Sequence, residues 1–504
     1  MSLGQHEENT MKPVSAPKPM PRSEYNEASH SASADANDEL AQAVHREHSW
    51  TSCAFITAGL SMCITVDILQ YSMPLAFLPS VLEDRGHRPM TIATTIGVYY
   101  WTGFAGGAML TAYQVWRLIR PAQDREEEME EVVTVHMIRR QLRYLIIGLA
   151  IGSATLLGQA LHPHCWMHTA CRFVQGLAGA FIFFYCFLLS VSMFKGRQQV
   201  FAMTAASTAL NIAEVLGSSF GAWIFDNWGE RSVYYTLGVV SMTNQVLLFL
   251  IHAGVRGDGV ARRRTPQLPG VSPSPSSERG AGEGRGVIAA ISVWRPSPRG
   301  VRRLRSALSS PWLRCSVVLI MTAAMVKASV EEVLPFHADH RWGLQPLQIG
   351  TLFSIVASAY ISAAMVAGKL WEHLKDFRVL FGAFWLAALG FTSWCVFFTA
   401  SLYKQEAVLW GNLVAYGVCL GLTHTPAALM LAEAIDHEMG PAKDAVNGVW
   451  NTMWEAGGSL GFLLGGLIAE NYARQLNLFA GYAACCAVCA AVMLSLGGLS
   501  PEKA

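Results

Sequence analysis

The chain has 504 residues, of which 52% are hydrophobic and only 14% charged, with a mean hydropathy of +0.30. A soluble chain carries roughly 25% charge, so whole-chain disorder, a disulfide scaffold and a fibrous protein are excluded. This composition describes a polytopic membrane protein.

The first 49 residues are rich in Ser, Ala, Asn, Glu and His and open on no apolar run. They read as a disordered cytoplasmic tail and not as a signal peptide. A membrane-crossing helix needs about 20 mostly apolar residues. Twelve such runs follow, roughly 52–80, 91–115, 144–161, 166–194, 200–225, 232–254, 312–337, 347–368, 377–401, 407–432, 445–469 and 477–498. The segment 255–311, dense in Arg, Pro, Ser and Gly, reads as a cytoplasmic linker. It divides an N-terminal six-helix half, 50–254, from a C-terminal half, 312–499, with a short tail at 500–504. Of the 37 Lys and Arg, 29 fall on the side of the two termini and 6 on the other. By the positive-inside rule both termini face the cytoplasm.

Two patterns recur between the halves. Span 1 ends Leu78-Pro79, then Arg85-Gly86, then Pro89; span 7 ends Leu334-Pro335, then Arg341-Trp342-Gly343, then Pro346. Span 5 carries Leu216-Gly217, Gly221 and Asp226-Asn227-Trp228, and span 11 carries Leu460-Gly461, Gly465 and Glu470-Asn471-Tyr472. Both pairs match span n to span n+6, the mark of a duplication. Duplicated six-span halves joined by a linker are the architecture of a rocker-type secondary transporter. Gly217, Gly221, Gly461 and Gly465, spaced by four, predict close helix packing, and their symmetry suggests a hinge-like interface between the halves.

Span 4 reads Arg172-Phe173-Val174-Gln175-Gly176-Leu177-Ala178-Gly179, which resembles the RxxQG signature of the major facilitator superfamily. Span 5 is similar to the motif of its antiporters, with Ser218 where a proline is usual. The acidic residue of span 1, Asp67, precedes Pro79 by twelve positions, as in twelve-span drug:proton antiporters and vesicular amine transporters; Glu331 before Pro335 resembles the same subgroup. The short motif usual between spans 2 and 3 is absent: 117–143 is a longer insertion containing Glu126-Glu127-Glu128-Met129-Glu130-Glu131. Asn451 stands where vesicular amine transporters have an aspartate. The resemblance implies an all-α fold of twelve transmembrane helices in two pseudo-symmetric halves. It also implies proton-coupled export of a small organic molecule by alternating access.

Charges at mid-bilayer cost at least ~2.5–3.5 kcal/mol and mark a cavity or a partner. Asp67, Arg172, Glu214, Lys327, Glu331, Glu332 and Glu455 lie inside predicted spans. Lys327 and Glu331, one helical turn apart, can pair. Asp67 shares a face with Gln70 and Tyr71. The expected substrate- and proton-binding set is Asp67, Gln70, Tyr71, Arg172, Lys327 and Glu331, with Lys327 and Arg172 as charge partners of the carboxylates. Gly176, Gly217, Gly221, Gly461 and Gly465 form the structural and gating set. Glu214 and Glu455 read as helix-packing or half-to-half contacts. His162, His164, Cys165 and His168 cluster at the start of span 4, but their spacing fits no standard zinc site, so no metal is expected.

No HExxH or phosphate-binding loop is present, which points to a non-enzymatic protein without a cofactor. The expected partners are a small organic solute, protons and the lipid bilayer, with no nucleic acid and a monomeric state. The plasma membrane is the expected location, a vacuolar or vesicular membrane the alternative. A non-transporting sensor built on a transporter scaffold is the alternative function.

Overall fold

The computed structural model describes residues 50–119, 135–194, 196–257, 305, 309–374, 377–403, 405–439, 443–469 and 471–497. The tail 1–49, the acidic run 126–131, nearly all of the linker 255–311 and the segment 500–504 lie outside them. The described residues are helical almost throughout. The first crossing is α1a (Trp50–Ser72), a 3₁₀ turn (Met73–Ala76) and α1b (Leu78–Asp84). There follow α2 (Pro89–Ile119), α3 (Val135–Leu161), α4 (Cys165–Met193), α5 (Gly196–Trp228) and α6 (Glu230–Gly257). The second half comprises α7 (Pro311–Trp342), α8 (Pro346–Leu374), α9 (Arg378–Tyr403), α10 (Glu406–Met439), α11 (Lys443–Ile468) and α12 (Tyr472–Gly497). Twelve crossings put Trp50 and Gly497, the first and last described residues, on one face, the near face; the opposite one is the far face.

Nine of these helices carry a window apolar enough to cross a membrane by length and composition alone. The other three, α2, α7 and α11, pack on one another, α11 lying between α2 and α7. Their polar side chains therefore face protein rather than lipid, which is how a membrane helix can carry Lys327, Glu331, Glu332 and Glu455. Lipid instead meets apolar stripes such as Tyr235, Val239, Met242, Val246 and Phe249 on α6, all exposed.

The duplicated Arg/Gly/Pro pattern has a local cause. Gly86 and Gly343 adopt left-handed backbone, φ +83° and +62°, and end α1b and α7. Pro89 and Pro346 then open α2 and α8, where a missing N–H costs nothing. The duplication is imperfect at the prolines. Pro79 stands at the start of α1b, just after the 3₁₀ turn that breaks the first crossing, while its counterpart Pro335 is carried inside an unbroken α7.

The glycines expected at an interface between halves lie elsewhere. A methyl group at Gly217 would overlap Ser72 Oγ, and one at Gly221 would overlap the Met73 carbonyl, so these two seat α5 on the 3₁₀ turn within the first half. Gly461 admits the Met325 carbonyl, and Gly465 lies against Glu332, seating α11 on α7 within the second half. The symmetry expected for them holds; the half-to-half location does not, because the small residues serve the packing of α5 on α1 and of α11 on α7. Ser218, where a proline is usual, donates to the Ser72 carbonyl at 3.3 Å.

The halves meet along α2–α11 and α5–α8. The first seam is closed over its length, from Ala93 against Gly466, through Trp101 Nε1 to the Ser459 carbonyl (3.2 Å), to Thr111 and Thr452 (2.9 Å). The second is joined by Ser219 and Ser354, 2.7 Å apart. Nearer the chain ends α8 exposes Ser358 and Ser362. The core follows the same division. Far-side residues of the first half, such as Leu75, Leu82, Ile96 and Tyr234, share one apolar core with the second half. Near-side residues such as Ile56, Leu145, Phe187 and Leu248 form a core containing first-half residues only. The halves are thus sealed together at the far face and apolar contact between them is lost toward the near face.

Candidate functional site

The Asp67 region of α1a meets α4 through the glycines of the RxxQG segment. A methyl group at Gly176 would overlap the Tyr99 carbonyl; one at Gly179 would stand 2.8 Å from Asp67 Oδ1 and 2.9 Å from the Tyr99 hydroxyl. The absence of side chains at these two positions lets α4 close over the Asp67–Tyr99 contact. Gln175 ties α4 to α3 through Thr155 Oγ1 (3.0 Å) and Gln159 Oε1 (3.2 Å).

At mid-membrane a chain of polar contacts crosses from one half to the other. Tyr99 donates to Asp67 Oδ2 at 3.2 Å. Its ring stacks on Tyr71 at 5.3 Å, and Tyr100 meets both rings edge-on. Tyr71 donates to Glu331 Oε2 at 2.7 Å. The Lys327 ammonium lies 2.6 Å from Glu331 Oε1 and 2.7 Å from Glu214 Oε1. Asp67 and Glu331 are buried, and Lys327 is 12% exposed. Beside the cluster lies a cavity of about 30 Å³ lined by Tyr71, Glu214, Lys327, Glu331, Tyr360 and Tyr416. That is room for one or two waters and no larger solute.

Among the expected residues, Asp67, Tyr71, Lys327 and Glu331 come together in this chain. Gln70 does not: it is buried against Gly152 of α3, and its Nε2 finds no hydrogen-bond partner among the described residues. Arg172 is fully buried, yet none of its guanidinium nitrogens has a hydrogen-bond partner among the described residues. Among the described residues it makes no ion pair with Asp67. Lys327 likewise pairs with Glu331 and Glu214 and not with Asp67.

Glu214, read from sequence as a packing or half-to-half contact, is the second carboxylate on Lys327 and joins α5 to α7 across the halves. Glu455 projects from α11 against Gly103 of α2, with Oε2 buried and without a hydrogen-bond partner among the described residues. Glu332 is 1% exposed with both carboxylate oxygens in the same condition. The His/Cys cluster of span 4 disperses. His168 Nε2 meets Glu230 Oε1 at 3.1 Å and Cys165 contacts Thr95. No group of three potential metal ligands gathers among the described residues.

Behind Tyr360 in the cavity wall lie three further aromatic residues that sequence reasoning did not single out. The indoles of Trp450 and Trp454 lie 6.2 Å apart and nearly parallel, at 13°. His424 stands edge-on to both, at 4.4 and 4.6 Å, and its Nδ1 is 2.6 Å from the Tyr360 hydroxyl. A Trp pair spaced by four on α11 was the only trace they left in the sequence.

Two six-helix halves around a buried charged cluster define a membrane transporter of alternating-access architecture. The family model described as Major Facilitator Superfamily matches residues 137–462. The chain belongs to that superfamily and is a multi-pass secondary transporter of small molecules. Among solved structures it is similar to a bacterial homologue of the human lysosomal transporter Spinster, in an inward-facing and unoccupied conformation. The two share 11% sequence identity with a TM-score of 0.58, over 90% of this chain and 98% of that one, a likeness of fold. No curated protein sequence matches the chain.

Proposed function

We propose that the chain is a proton-coupled exporter of a small organic molecule, such as a drug-like compound, a secondary metabolite or an organic acid. The observation that carries this reading is the Asp67–Tyr99/Tyr71–Glu331–Lys327–Glu214 chain. It places three carboxylates and one lysine across the two halves at mid-membrane. A carboxylate held there must be protonated, paired or wet, and a rocking of the halves changes which of these it is. Proton binding is thereby linked to the side on which the cavity opens. Gly217, Gly221, Gly461 and Gly465 would serve as packing points that let α1 and α7 tilt on α5 and α11.

In this reading the near face is cytoplasmic, in line with its excess of Lys and Arg. The linker 255–311 joins the halves there, the plasma membrane is the home of the protein, and the monomer is the working unit. The test uses full-length protein in liposomes carrying an internal pH dye, challenged with a panel of organic solutes. A solute-dependent proton flux is expected. Solute exchange that moves no protons under any gradient would overturn the coupling.

A further inference from the structure

We propose that Trp450, Trp454 and His424, with Tyr360 as the wall shared with the cavity, form a ring-binding subsite, and that the transported solute carries a planar aromatic ring. The inference rests on the transporter reading above and extends it to the solute. The three rings reach the same place from α10 and α11, and Tyr360 from α8. They lie inside the bundle, because the Lys327 ammonium stands 5.8 Å from the Trp454 ring and Tyr360 lines the cavity with Glu214 and Glu331. Aromatic rings at a membrane surface serve as interfacial anchors, but a ring facing a buried ammonium is not at such a surface. All three keep some accessible surface, so they border a space rather than fill a sealed core.

The geometry is that of an occupied slot. Two parallel indole faces spaced by one helical turn offer stacking surfaces, and the His424 imidazole meets both edge-on, close to the preferred separations of aromatic pairs. Tyr360 holds that imidazole by a single hydrogen bond. A rotamer change at His424 exposes both indole faces, and an entering aromatic ring replaces the contacts the imidazole gives up. The polar group of the same solute then reaches the Lys327 cluster, which Tyr360 and Trp454 border directly. Such a pairing of apolar ring surface with a few fixed polar groups is the usual composition of a small-molecule site. The alternative occupant, a non-aromatic solute, would find no use for the parallel indoles.

The test needs binding alone, so its outcome is separable from that of the coupling experiment. Purified full-length protein is titrated with two pairs matched in size and charge. These are benzylamine against cyclohexylmethylamine, and benzoate against cyclohexanecarboxylate, with thermal stabilisation as the readout. At least one aromatic member should bind about 3- to 10-fold more tightly than its saturated twin. That preference should fall to near unity in Trp450→Leu and Trp454→Leu, survive in Trp454→Phe, and grow in His424→Ala, where the built-in occupant is gone. Equal binding within both pairs, a preference that persists in both leucine variants, or no binding by any of the four overturns the proposal. Ring preference without proton flux leaves the subsite standing and removes only the coupling.

Discussion

Tyr71 of α1a donates its hydroxyl to Glu331 of α7 at 2.7 Å, so one phenol joins the two halves at mid-membrane while its ring stacks on Tyr99. Tyr71→Phe keeps the stack and deletes the bond. A hydrogen bond to a charged group contributes about 1.5–3 kcal/mol, so the purified variant should melt several degrees lower. A cysteine placed at Leu75, buried toward the far end of the cavity, should react faster with reagent added from the far side. Unchanged melting and reactivity would mean the bond does not hold the halves.

Lys327 pairs with two carboxylates, Glu331 on its own helix and Glu214 across the halves. Lys327→Ala strands both, and breaking a buried pair costs about 3–5 kcal/mol. The double change with Glu331→Ala still leaves Glu214 alone, so recovery of melting temperature should be partial. The triple change that adds Glu214→Ala should recover most of it. A triple variant that is stable yet inactive would show that the cluster acts in solute or proton binding beyond its role in packing.

The helices were legible because an apolar run of membrane length has few other uses, and the charged cluster because Asp67, Lys327 and Glu331 interrupt such runs at a known cost. Helix ends were less legible. α3 begins at Val135, not near 144, since Arg139, Arg140 and Arg143 end the apolar run without hindering the helix. The Gln70 side chain could not be assigned a neighbour, because the stretch of α1a around it, 59–72, has no exposed residue and meets protein on every face. The group of Trp450, Trp454 and His424 was invisible for another reason. Aromatics are at home in membrane helices, and their convergence from separate helices leaves no periodicity.

Glu332 offers a contrast with its neighbour. It is buried to 1%, packs beside Gly465, and neither carboxylate oxygen has a hydrogen-bond partner among the described residues. A buried polar group without a partner costs stability, and an apolar replacement of similar volume is often stabilising by about 1–4 kcal/mol. Glu332→Leu should therefore raise the melting temperature in detergent. A fall would mean that the carboxylate is satisfied by water or by another conformation of the transporter.

Asp67 accepts a bond from Tyr99 within the space left by Gly179. Asp67→Asn preserves shape and the acceptor oxygen, so insertion and melting should stay close to those of the native chain. If Asp67 carries the coupling proton, the variant should lose pH-driven transport yet keep solute exchange under no gradient. Native pH-driven flux in Asp67→Asn would rule the residue out.

The far-face seal can be tested through Glu83 at the end of α1b and His340 near the end of α7, whose Oε1 and Nε2 lie 3.1 Å apart. They belong to different halves, and the His340 side chain is 59% exposed, open to reagents added from the far side. A direct disulfide needs Cα atoms about 4.4–6.8 Å apart, closer than a pair bridged by two extended side chains. A short bis-methanethiosulfonate cross-linker, which joins each thiol through a reducible disulfide, is therefore the suitable probe between Glu83→Cys and His340→Cys. Cys485, the one exposed native cysteine among the described residues, should first be changed to serine. Linking the two ends should hold the far face shut, leaving the Lys327 cluster open to reagents from the near face alone while abolishing net transport. Cleaving the linker with reductant should restore it. Full transport with the cross-link quantitatively in place would show that the far face does not open during the cycle.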